Sequence, residues 1–81
     1  MKIRLKMFAI LRERSGVSET ELELSEGATV ADAIRAVEKR FAMLGGLLTR
    51  TAAAVNMEYA KASDRLHEGD ELALVPPVSG G

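Results

Sequence analysis

The sequence predicts an α+β roll, a mixed sheet with one main helix packed on one face. Three observations predict it. Residues 2–8 and 18–24 each alternate between apolar and charged side chains, the period of a half-buried strand. Residues 29–41 carry an apolar stripe at helical spacing behind a capping signal. Residues 71–75 are a short apolar run that follows a turn and stops at two prolines. With one amphipathic helix available, that helix must cover one face of the sheet.

The elements are justified in order. Ile3, Leu5 and Met7 share one face of the first strand, and Lys2, Arg4, Lys6 and Phe8 share the other. Ala9 to Arg14 can form one helical turn, which Ser15-Gly16 breaks. In the second strand Thr20, Leu22 and Leu24 face the core, and Glu19, Glu21 and Glu23 face out. Pairing the two strands sets Lys and Arg against Glu on the outer face, contacts of about 0.2–1 kcal/mol each that help fix register. Ser25-Glu26-Gly27 is a turn. Thr29 is an N-cap with Asp32 three residues on, a variant of the capping box. Val30, Ala33, Ile34, Val37 and Phe41 form the buried stripe, and Gly45-Gly46 is expected to end the helix. Leu47 to Thr51 reads as a connector, Ala52 to Asn56 as a short strand, and Tyr59 to Ala62 as an edge strand. His67-Glu68-Gly69-Asp70 is a turn before the last strand, Glu71 to Val75. Met7, Met43 and Met57 read as packing residues and His67 as a solvated turn residue. This order matches a β-grasp, or ubiquitin-like, roll, in which the first and last strands are central and parallel. The expected organisation is a domain over 1–75 and an extended tail over 76–81.

Composition excludes several function classes. Eighty-one residues allow one small core. A net charge of −1, from 11 basic and 12 acidic residues, lacks the basic excess of a general nucleic-acid binder. The longest charge-free run, Leu72 to Gly81, falls well short of the roughly 18 apolar residues a membrane helix requires. The alternating N-terminus is unlike a signal peptide, so the expected location is cytoplasmic, with no membrane partner. With no cysteine there is no disulfide, zinc-thiolate site or cysteine nucleophile. Any sulfur this chain carries cannot be a cysteine persulfide. No metal-ligand spacing stands out.

The most specific signal is the ending, Pro76-Pro77-Val78-Ser79-Gly80-Gly81. The prolines favour extended backbone and lack N–H donors, so sheet pairing should stop there. Two glycines leave the last carboxylate with no side chain beside it, so it can be threaded into a slot too narrow for other residues. Together with Glu68-Gly69-Asp70-Glu71-Leu72, Phe8-Ala9-Ile10-Leu11-Arg12-Glu13, Thr29-Val30-Ala31-Asp32 and Ala54-Val55-Asn56, this ending resembles the MoaD family, the small, sulfur-carrier subunits of molybdopterin synthase. The resemblance spans the whole chain.

That resemblance implies a route. An adenylating enzyme of the ubiquitin-activating type charges the Gly81 carboxylate with ATP, and sulfur from a donor replaces AMP to give a thiocarboxylate. The tail, Gly80 and Gly81 foremost, then enters the large synthase subunit and donates sulfur to cyclic pyranopterin monophosphate. The catalytic groups belong to the partners, so the chain is expected not to be an enzyme by itself and to bind no cofactor or metal. Phe8 stands on the outer face where the tail leaves, and an exposed aromatic beside a functional terminus suggests docking. The resemblance gives an interface role to the positions of Phe8, Tyr59 and Val75, although Tyr59 and Val75 depart from the residue types usual there. Arg12 could pair with an acidic partner, and Pro76, Pro77, Val78 and Ser79 complete the partner-binding set. Other readings are a carrier serving thiamine, cysteine or tRNA thiolation, a ubiquitin-like modifier joined to lysines through Gly81, and a plain interaction module.

Overall fold

The computed structural model describes residues 1–77. The buried stripe of each expected element becomes one continuous core. The first strand, β1 (Lys2–Met7), buries Ile3, Leu5 and Met7. A short helix, α1 (Ala9–Ser15), follows and ends on Gly16 in the left-handed region, whose N–H donates to the Arg12 carbonyl at 2.9 Å. Strand β2 (Glu19–Glu23) runs antiparallel to β1, and helix α2 (Val30–Arg40) packs Val30, Ala33 and Val37 inward. A 3-10 segment (Ala42–Arg50) leads to β3 (Ala52–Val55), β4 (Glu58–Tyr59) and β5 (Glu71–Val75). The sheet order is β2-β1-β5-β3-β4. β1 and β5 are parallel neighbours and β5 lies at the centre, as a β-grasp roll requires. Leu72 and Leu74 of β5 face the same core as Phe41, Leu44, Leu48 and Leu66. Among the described residues no helix is long and apolar enough to cross a membrane.

The start of α2 is fixed as its sequence suggests. Thr29 Oγ1 accepts from the Asp32 N–H at 3.3 Å, and the Asp32 carboxylate accepts from the Thr29 N–H at 2.9 Å. That backbone hydrogen bond, then Arg35 and the Thr29 hydroxyl, hold the Asp32 carboxyl below its ordinary value of 3.8. A lowered carboxyl stabilises the fold at pH above its unfolded value, and the contribution fades as pH falls through the folded one. The loop before β5 is tied to the same end: the Val30 N–H donates to Asp64 O at 2.9 Å and the Leu66 N–H to Ala28 O at 2.8 Å.

Several expectations differ in detail. Helix α2 ends at Arg40, not at Gly45-Gly46. Phe41 leaves helical geometry (φ −121°, ψ 64°) to bury its ring, and the chain then tightens into the 3-10 segment that buries Leu44 and Leu48. The expected connector, Leu47 to Thr51, thus lies largely inside that segment, with Thr51 at its end. Cross-strand charges do not pair straight across. Arg4 is opposite Glu21 but pairs diagonally with Glu19, while Lys6 reaches across to Glu71 of β5 at 3.2 Å. Met7 is buried as expected, but Met43 and Met57 are exposed, Met57 at 90%. Met57 sits with Asn56 in the two-residue turn joining β3 to β4, which also moves the edge strand to Glu58–Tyr59.

Both central residues of that turn have positive φ, 50° at Asn56 and 72° at Met57. This is the signature of a type I′ hairpin, where glycine is preferred second because a Cβ is strained there. Met57→Gly removes that strain and almost no packing. We expect a gain of roughly 0.5–1 kcal/mol, read as a rise of a few degrees in Tm. A lower Tm would mean that the Met57 side chain makes a stabilising contact its exposure does not show.

Candidate functional site

The parallel pairing of β1 with β5 decides where the tail begins. Met7 is opposite Leu74, so the next residues along, Phe8 and Val75, come level at one end of the sheet. β1 stops at Met7, and Phe8, still extended (φ −123°, ψ 159°), caps α1 with its carbonyl accepting from the Leu11 N–H at 3.1 Å. Ala9 turns the chain sharply at φ 50°. Phe8 therefore does not tuck into the core; it is 43% exposed. β5 ends at Val75, with Pro76 half-buried and Pro77 exposed.

Phe8, Val75, Pro76 and Pro77 form one wall of a mostly apolar groove of about 980 Å³. α1 supplies Ala9, Ile10 and Glu13 to it, and the 3-10 segment supplies Gly46, Leu47 and Arg50. Glu13 and Arg50 are the ionisable side chains that line it. Among the described residues no group of three His, Asp or Glu side chains could hold a metal ion, and the chain has no cysteine. What this groove offers a ligand is therefore apolar surface with one charge of each sign at its edge.

The sequence-predicted residues are thus partly gathered. Phe8, Val75, Pro76 and Pro77 meet at the groove. Arg12 is exposed on α1 and does not line it. Tyr59, 81% exposed, stands apart on β4. It shares the outer face of the sheet, in the register row Lys6, Ala73, Ala54, Tyr59, while Val75 lies in the next row opposite Ala52. The outer face between Val75 and Tyr59 is floored by these alanines, so among the described residues no large side chain separates the two. Val78, Ser79, Gly80 and Gly81 lie outside the described residues. Sequence reasoning missed Ile10, Leu47 and Arg50. No local signal marks them, because they join the site only through the packing of α1 on the 3-10 segment.

A second recess, at the far end of β5, is lined by Asn56, Tyr59, Arg65, His67 and Asp70. Burial pushes the Asp70 carboxyl up, but hydrogen bonds from the Asn56 side chain and the His67 N–H, with the His67 charge, outweigh it and leave the carboxyl lowered. The Asn56 amide donates to Asp70 at 3.0 Å and accepts from the Glu71 N–H at 3.0 Å, which fixes the start of β5. These contacts close on one another as a structural turn. His67 is a solvated turn residue, as its sequence context suggests.

Comparison with known proteins supports the fold described above. The "Molybdopterin synthase sulfur carrier subunit" of Chlamydomonas reinhardtii is 36% identical over 83 residues, covering 100% of this chain and 100% of that protein. "Small archaeal modifier protein 1" of Haloferax volcanii is 38% identical over 84 residues, covering 94% of this chain and 97% of that protein. The crystal structure of SAMP1 from Haloferax volcanii superposes with a TM-score of 0.92 at 31% identity, covering 100% of both chains. The ThiS family matches residues 5–81, the last strand and the Gly-Gly ending included, and this chain belongs to the ThiS family.

Proposed function

We propose that this chain is a sulfur carrier for molybdopterin synthesis, working through a thiocarboxylate on Gly81. The observation that carries the proposal is that the central β1–β5 pair sets Pro76 and Pro77, which lead to the Gly-Gly ending, against an apolar groove. Full-length similarity to a molybdopterin synthase sulfur carrier subunit supports the same pathway. The Gly81 carboxylate attacks the α-phosphate of ATP on an adenylating enzyme of the ubiquitin-activating type, and pyrophosphate leaves. A sulfur nucleophile from a donor then displaces AMP at the acyl carbon. The large subunit of molybdopterin synthase receives the tail and passes the sulfur to cyclic pyranopterin monophosphate. In this route the chain is a carrier subunit and the partners catalyse. It works in the cytoplasm and binds no cofactor of its own, since ATP belongs to the activating enzyme. The 1–75 domain docks, and residues 76–81 reach. Four residues follow Pro77, a reach of about 13–14 Å when extended. A reacting centre in the partner therefore lies within that distance of the groove wall. The 38% identity to an archaeal modifier protein favours one second reading, attachment of Gly81 to lysines of other proteins.

Protein isolated from its native host, or treated with its activating enzyme, ATP and a sulfur donor, should show the oxygen-to-sulfur mass increment on its C-terminal peptide. Finding Gly81 only in isopeptide linkage to lysine would favour the modifier instead. Docking has its own expectation. Phe8→Ala should weaken binding to the activating enzyme and to the large subunit by about 2 kcal/mol or more, with little change in melting. Phe41→Ala empties a core position, since Phe41 is 7% exposed, and should cost roughly 3–5 kcal/mol of stability. If Phe8→Ala melts the protein as Phe41→Ala does, Phe8 is packing and not docking surface.

A further inference from the structure

The Gly-Gly ending that makes the tail threadable also removes information from it. Two glycines present no side chain, so an enzyme that activates this carboxylate must recognise its substrate by residues upstream, within a tail's reach. The nearest built surface is the groove between α1 and the 3-10 segment, since Pro76 and Pro77 are part of its wall. Its floor is apolar, with Ile10 on one side and Leu47 on the other. Leu47 is half-buried against the core, so its position is held by packing.

Arg4, Lys6 and Arg35 each pair with a carboxylate. Arg50, on the groove, and Arg12 and Arg14, on the adjoining helix, make no ion pair among the described residues. Against these three cations α1 sets only Glu13. The β2 edge, in contrast, carries Glu19, Glu21 and Glu23. Arg50 and Glu13 are the charges on the groove, and Arg50 is left without an ion-pair partner among the described residues.

We propose that the enzyme which adenylates Gly81 recognises this carrier through the α1/3-10 groove, seating a bulky apolar side chain between Ile10 and Leu47 and pairing a carboxylate with Arg50. This inference rests on the carrier reading and adds to it the side of the groove formed by α1 and the 3-10 segment, beside the wall that Phe8, Val75, Pro76 and Pro77 form. Arg50 is a specificity residue here. It touches the partner's body and not the reacting carboxylate, so it acts on binding and not on the chemical step. Arg12 and Arg14 add attraction during approach, which salt screens.

The test is steady-state ATP–pyrophosphate exchange with the full-length carrier and the adenylating enzyme purified from its native host. Arg50→Glu should raise the KM for carrier by about tenfold or more and leave kcat within about twofold. Arg50→Lys, which keeps the charge, should recover most of the loss. Lys39→Glu, a charge reversal at an exposed position on α2, should change neither constant. An unchanged KM for Arg50→Glu, a loss confined to kcat, or an equal effect of Lys39→Glu would each overturn the proposal and leave the carrier reading intact. An Arg50→Glu variant that activates normally but binds the sulfur-accepting enzyme poorly assigns the groove to that partner and overturns the proposal as well. Failure of the unmodified carrier to be charged at all would overturn the carrier reading, and this proposal with it.

Discussion

The parallel pairing of β1 with β5 is the constraint on which the rest of this structure depends. It joins the first and last strands of the chain at the centre of one sheet. Parallel strands run the same way, so the end of β1 and the end of β5 must lie at the same edge of the molecule. Whatever follows β1, namely Phe8 and α1, is therefore placed beside whatever follows β5, namely Pro76 and Pro77. The pairing is buried from the helix side, where Ile3, Leu5, Met7, Leu72 and Leu74 are all 0–1% exposed. A one-residue slip would turn that whole set toward solvent, so the core itself enforces the register. Lys6 and Glu71 add an ion pair across the same two strands on the open face, which is partly exposed and contributes little stability.

Among the described residues, the remaining elements leave one face and one end of this sheet uncovered. Helix α2 covers the inner face and is held at both ends, by the Thr29–Asp32 capping box and by Arg40. The Arg40 guanidinium lies 5.1 Å from the centre of the Phe41 ring and donates to the Glu21 carbonyl at 2.7 Å and the Thr20 hydroxyl at 3.1 Å. The second contact matters at the edge of the sheet. The Met7 N–H bonds to Ser18 O and the Leu24 N–H to Met1 O, and the alternation of an antiparallel ladder then turns the peptide groups of Glu19, Glu21 and Glu23 outward. Arg40 occupies one of those outward carbonyls, and three carboxylates line the rest. Both features discourage pairing with another strand. The opposite edge, β4, is only two residues long. With its edges blunted, the sheet leaves its outer face and the groove at Pro76 and Pro77 as its open surfaces among the described residues.

Much of this was legible in the sequence because it rests on periodicity. The alternation of Ile3, Leu5 and Met7, the stripe from Val30 to Phe41 and the Thr29–Asp32 signal are all local patterns, and each element formed where its pattern lies. The prolines after Val75 marked where pairing stops, and the β-grasp order placed Phe8 near the exit. What was not legible depends on contacts distant in sequence. Phe41 leaves the helix early because burying its ring outweighs continuing the helical hydrogen bonds as far as Gly45. The type I′ turn at Asn56-Met57 carries methionine where glycine is usual, so composition gave no hairpin signal. Lys6 pairs with Glu71 because β5 and not β2 supplies the nearer carboxylate, which strand alternation cannot foresee. The groove residues Ile10, Leu47 and Arg50 come from two segments far apart in sequence, and only the fold unites them.

The central claim is that the folded domain places, and the Gly-Gly ending performs. The most direct measurement is sulfur transfer in a reconstituted system of activating enzyme, ATP, sulfur donor, large synthase subunit and pterin precursor, using a carrier lengthened by one alanine after Gly81. One added residue moves the carboxylate about 3.3–3.6 Å along an extended chain, out of the roughly 3–3.5 Å range in which reacting atoms must meet. The account predicts an unchanged melting temperature and loss of sulfur transfer. Full transfer by the lengthened chain, with no protease present to trim it, would contradict the account.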